Sequence, residues 1–339
     1  MIRVLVVEDS ATARELLVRI LEGDPEIRVV GEAVDGIEAV SLTRKLRPDL
    51  VTMDLHMPRL DGLAATKEIM ITAPTPIVIV TGSTRAREVR DSMETLRVGA
   101  LEVLVKPLGP GSPRFASEAR RLVETVKAMS RVKVVRHWRA TTTIKPHAER
   151  PPSGVRGRVV AVAASTGGPA ALQAILCGLP PSFPLPILIA QQITPGFMPG
   201  LAAWLDSVCP FKVKVAQHGE ILASGTVYLA PDDRHLGAKA ETIALSDAPP
   251  DRGFRPSGTA LFTSVAGSFG ASTLAVILTG MGDDGVAGLR VVRRVGGRVI
   301  AQDESTSVVY GMPGAAVTAG LAHAVLPLDA IAPQLVSWL

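Results

Sequence analysis

Cysteine is almost absent from this sequence of 339 residues. It occurs only at Cys177 and Cys209, which excludes a disulfide-based scaffold and a cysteine-rich zinc site. Basic residues exceed acidic ones by only four, 36 against 32, so the charge does not favour nucleic-acid binding. No apolar run approaches the ~20 residues that cross a bilayer, and the N-terminus becomes acidic too early for a signal peptide. We expect a cytoplasmic protein without direct membrane insertion.

The first 130 residues alternate short apolar runs with amphipathic stretches. The apolar runs are rich in valine, isoleucine and leucine, as is typical of strands buried on both faces of a parallel sheet. They lie at 3–7, 28–33, 49–53, 76–80 and 100–105. Helical patterns follow them at 11–22, 35–47, 61–71, 85–98 and 115–130. Five successive βα units predict a doubly wound α/β domain over residues 1–130.

A basic segment with prolines and threonines, residues 131–157, interrupts this rhythm. Its composition favours a solvated linker over a nucleic-acid site. A second α/β domain is expected over 158–339. Its strand candidates lie at 158–164, 186–191, 226–230, 272–278, 297–302 and 323–327. The predicted fold class is therefore two doubly wound parallel-sheet domains joined by a basic linker.

Polar residues follow four of the first five strand candidates. Glu8 and Asp9 come after the first, Asp54 after the third, Thr81 after the fourth and Lys106 after the fifth. Carboxyl ends of parallel strands meet at one edge of a sheet, where functional crevices form. Three carboxylates placed together repel one another unless a hard cation such as Mg²⁺ lies among them. Such a pocket suits phosphoryl transfer to a carboxylate.

These residues resemble those of a response-regulator receiver domain, which has a flavodoxin-like fold. The matching pattern is an acidic pair, D-x-x-M-P-x-x-D-G beginning at Asp54, a threonine, and K-P. The resemblance implies that Asp54 is the phosphoacceptor and that it holds Mg²⁺ together with Glu8 and Asp9. It also implies that Thr81 contacts the phosphoryl group and that Lys106 pairs with it.

One position departs from the receiver pattern. Receivers usually carry an aromatic switch residue three positions before the lysine, and here that position is Val103. The coupling of phosphorylation to a conformational change is therefore expected to be altered.

A serine follows the first strand candidate of the second half, in VVAVAASTGGPAAL. Ser165 would be exposed on a sharp strand-to-helix turn, and N–H groups at the helix start could stabilise an oxyanion. The same pattern also fits a helix cap. A phosphate-binding loop is a third interpretation, although G-x-x-x-x-G-K-[ST] is missing.

Three further stretches, 229–235, 275–289 and 301–313, complete a resemblance to chemotaxis protein-glutamate methylesterases, the CheB family. Both domains and their order match, and the resemblance covers essentially the whole chain. It implies a Rossmann-like catalytic domain without a cofactor, in which Ser165 is the nucleophile and Asp284 the triad acid. Met281 would lie in the loop beside the site.

The resemblance also implies substrates and partners. The family hydrolyses methylated glutamate on methyl-accepting chemoreceptors to glutamate and methanol, and related members deamidate glutamines. A chemotaxis histidine kinase would be the phosphodonor. The receiver domain would cover the catalytic site until Asp54 is phosphorylated.

The position of the catalytic histidine departs from the family pattern. The family carries Q-H-M-P-x-G-F, whereas residues 191–197 are QQITPGF, so Gln192 takes the histidine position. Glutamine forms hydrogen bonds but does not accept a proton near neutral pH. A second departure is DRGFRPSGT at 251–259.

Two histidines of the second domain, His218 and His235, could replace the missing base, although a surface or structural role is the simpler expectation. The histidines show no metal-ligand spacing.

Two functions therefore stay open. One is a phosphorylation-gated carboxylic ester hydrolase, and the other is a catalytically impaired response regulator that binds receptors or acts as a phosphate sink. A DNA-binding regulator is disfavoured, because no stretch after residue 157 has the sequence pattern of a helix-turn-helix motif.

Overall fold

The computed structural model describes residues 1–82, 86–132 and 157–339. The chain forms two compact units, Met1–Thr141 and Thr142–Leu339. Most of the predicted linker, residues 133–156, lies outside the described residues. Among the described residues, no helix is long and apolar enough to span a bilayer.

The first unit contains a five-stranded parallel sheet with strand order β2-β1-β3-β4-β5. Its strands are β1 (Ile2–Val7), β2 (Ile27–Ala33), β3 (Leu50–Met53), β4 (Ile77–Thr81) and β5 (Glu102–Val105). Its helices are α1 (Ala11–Glu22), α2 (Gly36–Leu46), α3 (Gly62–Thr72), α4 (Ala86–Arg97) and α5 (Phe115–Met129). The strand order reverses between β1 and β3, which opens a crevice at their carboxyl ends.

Local signals fix where these elements begin and end. All residues of β3 and β4 are buried, so their apolar runs contact helices on both faces. The helices that follow β1 and β3 begin at side-chain caps, where Ser10 accepts from Ala13 N–H and Asp61 from Ala64 N–H. The short connections between strand and cap therefore carry the polar residues at the sheet edge.

The second unit contains a seven-stranded parallel sheet with strand order β14-β13-β12-β6-β7-β9-β8. Its strands are β6 (Val159–Ala164), β7 (Ile187–Gln191), β8 (Lys212–Val215), β9 (Thr226–Leu229), β12 (Thr273–Ile277), β13 (Arg298–Gln302) and β14 (Ala324–Leu326). A separate antiparallel hairpin is formed by β10 (His235–Lys239) and β11 (Thr242–Ser246). The helices are α6 (Gly168–Gly178), α7 (Met198–Val208), α8 (Gly258–Phe269), α9 (Val286–Arg294), α10 (Met312–Thr318) and α11 (Leu328–Ser337).

The predicted fold class, two doubly wound α/β units with parallel sheets, is confirmed. Three strands were not anticipated from the sequence. The edge strand β8 has the sequence KVKV, in which lysines interrupt the apolar pattern. The strands β10 and β11 form a hairpin that packs against α8 rather than joining the sheet. The fully buried strands β12, β6 and β7 are neighbours in the sheet. The segments that follow them are joined by hydrogen bonds, from Ser165 N–H to the Thr279 carbonyl and from Gln191 Nε2 to the Ser165 carbonyl.

Candidate functional site

An acidic pocket lies at the carboxyl edge of the first sheet. Lys106 Nζ is 2.7 Å from Glu8 Oε2 and 3.0 Å from Asp54 Oδ2. Glu8 and Asp54 are buried, whereas Asp9 is exposed. One carboxylate oxygen from each of Glu8, Asp9 and Asp54 lies within 4.8 Å of the others. The structure therefore brings together four of the residues singled out in the sequence.

Burial governs the charges in this pocket. It raises the pKa of Glu8 and of Asp54 above their ordinary values, although Lys106 acts in the opposite direction on both. Burial alone would lower the pKa of Lys106, but the two carboxylates outweigh it and raise that pKa. The pocket holds more negative charge than one lysine compensates, which favours an added cation.

The residues present fit a Mg²⁺ ion. Three carboxylates within 4.8 Å of one another offer the hard oxygen ligands that Mg²⁺ prefers. The buried hydroxyl of Thr81 has no hydrogen-bond partner among the described residues. The main-chain carbonyl of Thr81 accepts a 2.8 Å hydrogen bond from the N–H of Lys106, and this bond holds the ends of β4 and β5 together. An unpaired buried hydroxyl beside the lysine suits an anionic group at the same edge.

Ser165 lies directly after β6, on a tight turn into α6. Its N–H donates to the carbonyl of Thr279 at 3.0 Å, and its carbonyl accepts from Gly168 N–H at 2.8 Å. Gly167 has φ +77°, and a Cβ there would lie 2.6 Å from Val308 Cβ, so glycine is required. The Ser165 side chain is half-buried. The turn therefore leaves a hydroxyl at the strand end, held by main-chain hydrogen bonds.

The loop after β12 packs directly against this serine. A Cβ on Gly280 would lie 2.8 Å from Ser165 Cβ and would overlap Met312 Sδ. Hydrogen bonds from the N–H groups of Gly311 and Met312 to the Gly280 carbonyl keep the loop in place. Met281, the next residue, is 37% exposed. The absence of a side chain at Gly280 thus allows the Met281 loop to lie beside Ser165.

The carboxylate of Asp284 is buried and has four hydrogen-bond donors. Ser257 Oγ donates to Oδ1 at 2.8 Å, and Thr259 N–H donates to the same atom at 3.1 Å. Gly258 N–H and Gln192 Nε2 each donate to Oδ2 at 2.7 Å. Two of these donors are main-chain groups of the first turn of α8. A helix N-terminus therefore stabilises this carboxylate.

Gln192 connects Asp284 to the turn that carries Ser165. Parallel pairing places Ala164 opposite Gln191, so Ser165 and Gln192 leave neighbouring strands side by side. Gln192 N–H donates to the Ala164 carbonyl at 2.9 Å. The Oε1 atom of Gln192 is buried and has no hydrogen-bond partner within the described ranges. The amide is thus oriented by Asp284 and leaves an acceptor atom unpaired.

The side chain of Gln191 links the turn that carries Ser165 to the loop that begins at Gln192. Its Nε2 donates to the carbonyls of Ser165 and Gln192, at 2.8 Å in each case. The side chain is 1% exposed, and a Cβ on Gly168 would overlap its Oε1. The position of Ser165 relative to Gln192 therefore depends on a residue that the sequence analysis did not single out.

His218 and His235 have structural partners elsewhere. His218 Nδ1 accepts from Leu245 N–H at 3.0 Å. The buried ring of His235 forms a 3.2 Å hydrogen bond between Nε2 and the Pro249 carbonyl. Neither histidine forms a hydrogen bond with Ser165 or Asp284 in the described part of the chain.

Ser257 was also missed, although it lies in the segment 251–259 noted as a departure. Serine followed by glycine, threonine and an apolar helical run is the signature of an N-cap, and Ser257 does accept from Ala260 N–H. That signal would have been sufficient to locate the start of α8. It gave no indication that the same helix start would hold Asp284.

Comparison with known proteins decides the family. The CheB methylesterase family model matches residues 160–335, and the response regulator receiver domain model matches residues 4–112. The chain is 57% identical over 341 residues to "Protein-glutamate methylesterase/protein-glutamine glutaminase 3" of Anaeromyxobacter dehalogenans, covering 100% of this chain and 99% of that protein. The chain belongs to the CheB methylesterase family.

Two further matches agree. "Protein-glutamate methylesterase/protein-glutamine glutaminase 4" of Myxococcus xanthus is 55% identical over 99% of this chain and 96% of its own length. The crystal structure of the Thermotoga maritima CheB methylesterase catalytic domain is similar at a TM-score of 0.53 and 40% identity, covering 55% of this chain and 100% of that chain. The prediction of a receiver domain together with a CheB-type catalytic domain is confirmed.

Proposed function

We propose that this chain is a phosphorylation-regulated protein-glutamate methylesterase. It hydrolyses methyl esters on glutamate side chains of methyl-accepting chemoreceptors, and it also hydrolyses the amide of receptor glutamines, as the names of its relatives suggest. The observation that carries the proposal is the hydrogen bond from Gln192 to Asp284 beside the Ser165 turn. This arrangement supports the proposal, because the turn that carries Ser165 lies beside the loop that carries Gln192, whose amide donates to the buried carboxylate of Asp284.

In this proposal Ser165 is the nucleophile. Its Oγ attacks the ester carbonyl carbon, methanol leaves, and water then hydrolyses the acyl-enzyme to free glutamate. In the turn between β6 and α6, the N–H groups of Thr166 and Gly167 donate no hydrogen bond within the described residues, and in this proposal they stabilise the oxyanion. Asp284 fixes the Gln192 side chain so that Oε1 accepts a hydrogen bond from the Ser165 hydroxyl or from a water molecule.

The glutamine limits the rate of this reaction. An amide oxygen does not accept a proton near neutral pH, so the proton of Ser165 leaves to water. In a serine protease, loss of the triad histidine costs about 10⁶ in kcat. We therefore expect turnover well below that of a family member with a histidine base.

A second candidate function rests on the same residue. With little hydrolysis, the chain would act as a response regulator that binds receptors or serves as a phosphate sink. The fourfold hydrogen bonding of Asp284 supports this alternative, because it keeps the site ordered without a base.

The deciding experiment measures methanol release from methylated receptor, with and without a phosphodonor. Wild type is compared with Ser165→Ala, Gln192→His and Gln217→His, which adds a histidine at an exposed position. Slow wild-type release that Ser165→Ala abolishes supports the methylesterase. No release in wild type, with a gain only in Gln192→His, supports the impaired regulator.

The receiver is proposed to accept the phosphoryl group on Asp54, with Mg²⁺ held by Glu8, Asp9 and Asp54. The ion would neutralise phosphate oxygens while Lys106 pairs with them and Thr81 contacts the group. A small acyl phosphate should label wild type and Glu22→Ala, an exposed carboxylate control, but not Asp54→Ala. Equal labelling of all three proteins would exclude Asp54 as the acceptor.

A further inference from the structure

The only two cysteines of the sequence meet on the surface of the second unit. Cys177 and Cys209 are 32 positions apart, and their sulfur atoms lie 3.4 Å from each other. Cys177 Sγ also donates to the Val208 carbonyl at 3.3 Å. Both thiols are free, with Cys177 exposed and Cys209 half-buried.

The two cysteines lie at the ends of the two helices that follow the Ser165 turn and the Gln192 loop. Cys177 is in the last turn of α6, which begins just after Ser165, and Cys209 directly follows α7, which begins just after the Gln192 loop. Helices rise 1.5 Å per residue, so Cys177 lies about 14 Å along α6 from its first residue. Both cysteines therefore lie at the C-terminal ends of α6 and α7, whereas the loops of the proposed chemistry precede the N-terminal ends of these helices.

We propose that Cys177 and Cys209 form a redox modification site, at which peroxide closes a reversible disulfide between α6 and α7. A disulfide needs sulfurs about 2.05 Å apart, so the two thiols must approach by little more than 1 Å. Rotation of an exposed cysteine side chain supplies a movement of this size. The site responds to oxidants of the peroxide class and is independent of the hydrolytic function.

The chemistry proceeds in two balanced steps. The exposed Cys177 thiolate attacks the peroxide O–O bond, giving a sulfenic acid and, from hydrogen peroxide, one water. The Cys209 thiol then attacks that sulfur, the S–S bond forms, and the sulfenic oxygen leaves as a second water. Two thiols lose two electrons and two protons in total, and a dithiol reductant restores both. Burial, together with the neighbouring Cys177, raises the pKa of the Cys209 thiol, which favours Cys177 as the first to react.

The test uses the full chain treated with hydrogen peroxide and then with dithiothreitol. We expect a loss of about 2 Da in intact mass, a crosslinked peptide containing Cys177 and Cys209, and full reversal by the reductant. The closed loop should raise the melting temperature of the second unit by about 5–10 °C. Methanol release at 25 °C should change less than about twofold, since the crosslink is remote from Ser165.

Two variants serve as controls. Cys209→Ser should form a sulfenic acid at Cys177 that a dimedone probe labels, and Cys177→Ser should show neither that label nor the mass loss. Wild-type protein that keeps two alkylatable thiols after peroxide treatment would overturn the proposal. Crosslinking only between separate molecules would overturn it as well.

Discussion

Gln192 donates a hydrogen bond from Nε2 to Oδ2 of Asp284 across 2.7 Å. Asp284 is 3% exposed, and an ionised carboxylate only accepts hydrogen bonds, so position 192 must supply a donor. Glutamine and histidine both meet this requirement, and an ionised glutamate does not. The identity of residue 192 can therefore change the chemistry without disturbing the carboxylate, provided that the donor is kept.

Gln192→Glu tests this requirement directly. Two carboxylates would face each other in a buried site, and we expect the free energy of unfolding to fall by about 2–3 kcal/mol at pH 8. The shared site raises the folded-state pKa of the new carboxyl above its unfolded value of about 4.3, so the loss grows as pH rises and shrinks toward pH 5. Urea unfolding at both pH values measures it, with Gln217→Glu as the exposed control. An equal effect of both substitutions would contradict the buried contact.

Ser257→Ala removes a donor to Asp284 and the N-cap of α8 together. We expect a loss of about 1–2 kcal/mol in the free energy of unfolding. Ser10→Ala is the matched control, because Ser10 caps α1 through an exposed 3.4 Å hydrogen bond and should cost less. Ser257→Thr keeps the hydroxyl and should recover most of the stability. Thermal or urea unfolding of the three variants provides the measurement, and a larger cost at Ser10 would refute the role of Ser257.

Sequence patterns predicted those parts of the molecule that local physics determines. Buried parallel strands are continuous apolar runs, and strand ends collect at one edge, so the approach of Asp54 to Lys106 could be anticipated. The edge strand β8 could not be, because its lysines break the apolar pattern. The contact of Ser257 with Asp284 spans 27 positions and depends on how α8 packs, which no local pattern encodes.

Glycine at position 168 is required by the side chain of Gln191. A Cβ there would overlap Gln191 Oε1, so Gly168→Ala should push the amide away from the carbonyls of Ser165 and Gln192. We expect a loss of more than about 1 kcal/mol in stability and a larger proportional loss of methanol release. At Gly267, inside α8, an added Cβ would meet no described atom within 4 Å beyond its chain neighbours and the backbone of its own helix, so Gly267→Ala should instead gain up to about 1 kcal/mol. Urea unfolding and the methanol assay compare the two variants, and similar behaviour would contradict the packing argument.

The acidic pocket makes the stability of the first unit depend on pH and on Mg²⁺. Burial raises the folded-state pKa of Asp54 above its ordinary 3.8. Its contribution to stability is therefore complete below that value and is lost as pH rises through the folded-state pKa. Asp54→Asn removes this loss. At pH 8 in the absence of Mg²⁺, the melting temperature of the variant should therefore be higher than that of wild type. The difference between the two melting temperatures should become smaller toward pH 4.

Added Mg²⁺ should raise the melting temperature of wild type above that of Asp54→Asn. At ten times its Kd the ion would stabilise wild type by about 1.4 kcal/mol, because it binds the folded carboxylates and relieves their repulsion. Asp54→Asn lacks one ligand and should gain less, whereas Glu22→Gln, exposed on α1, should gain as much as wild type. Calorimetry with and without a chelator separates these cases. A Mg²⁺-induced shift of equal size in Asp54→Asn would mean that the ion binds elsewhere, since a site built on three carboxylates cannot lose one and keep its affinity.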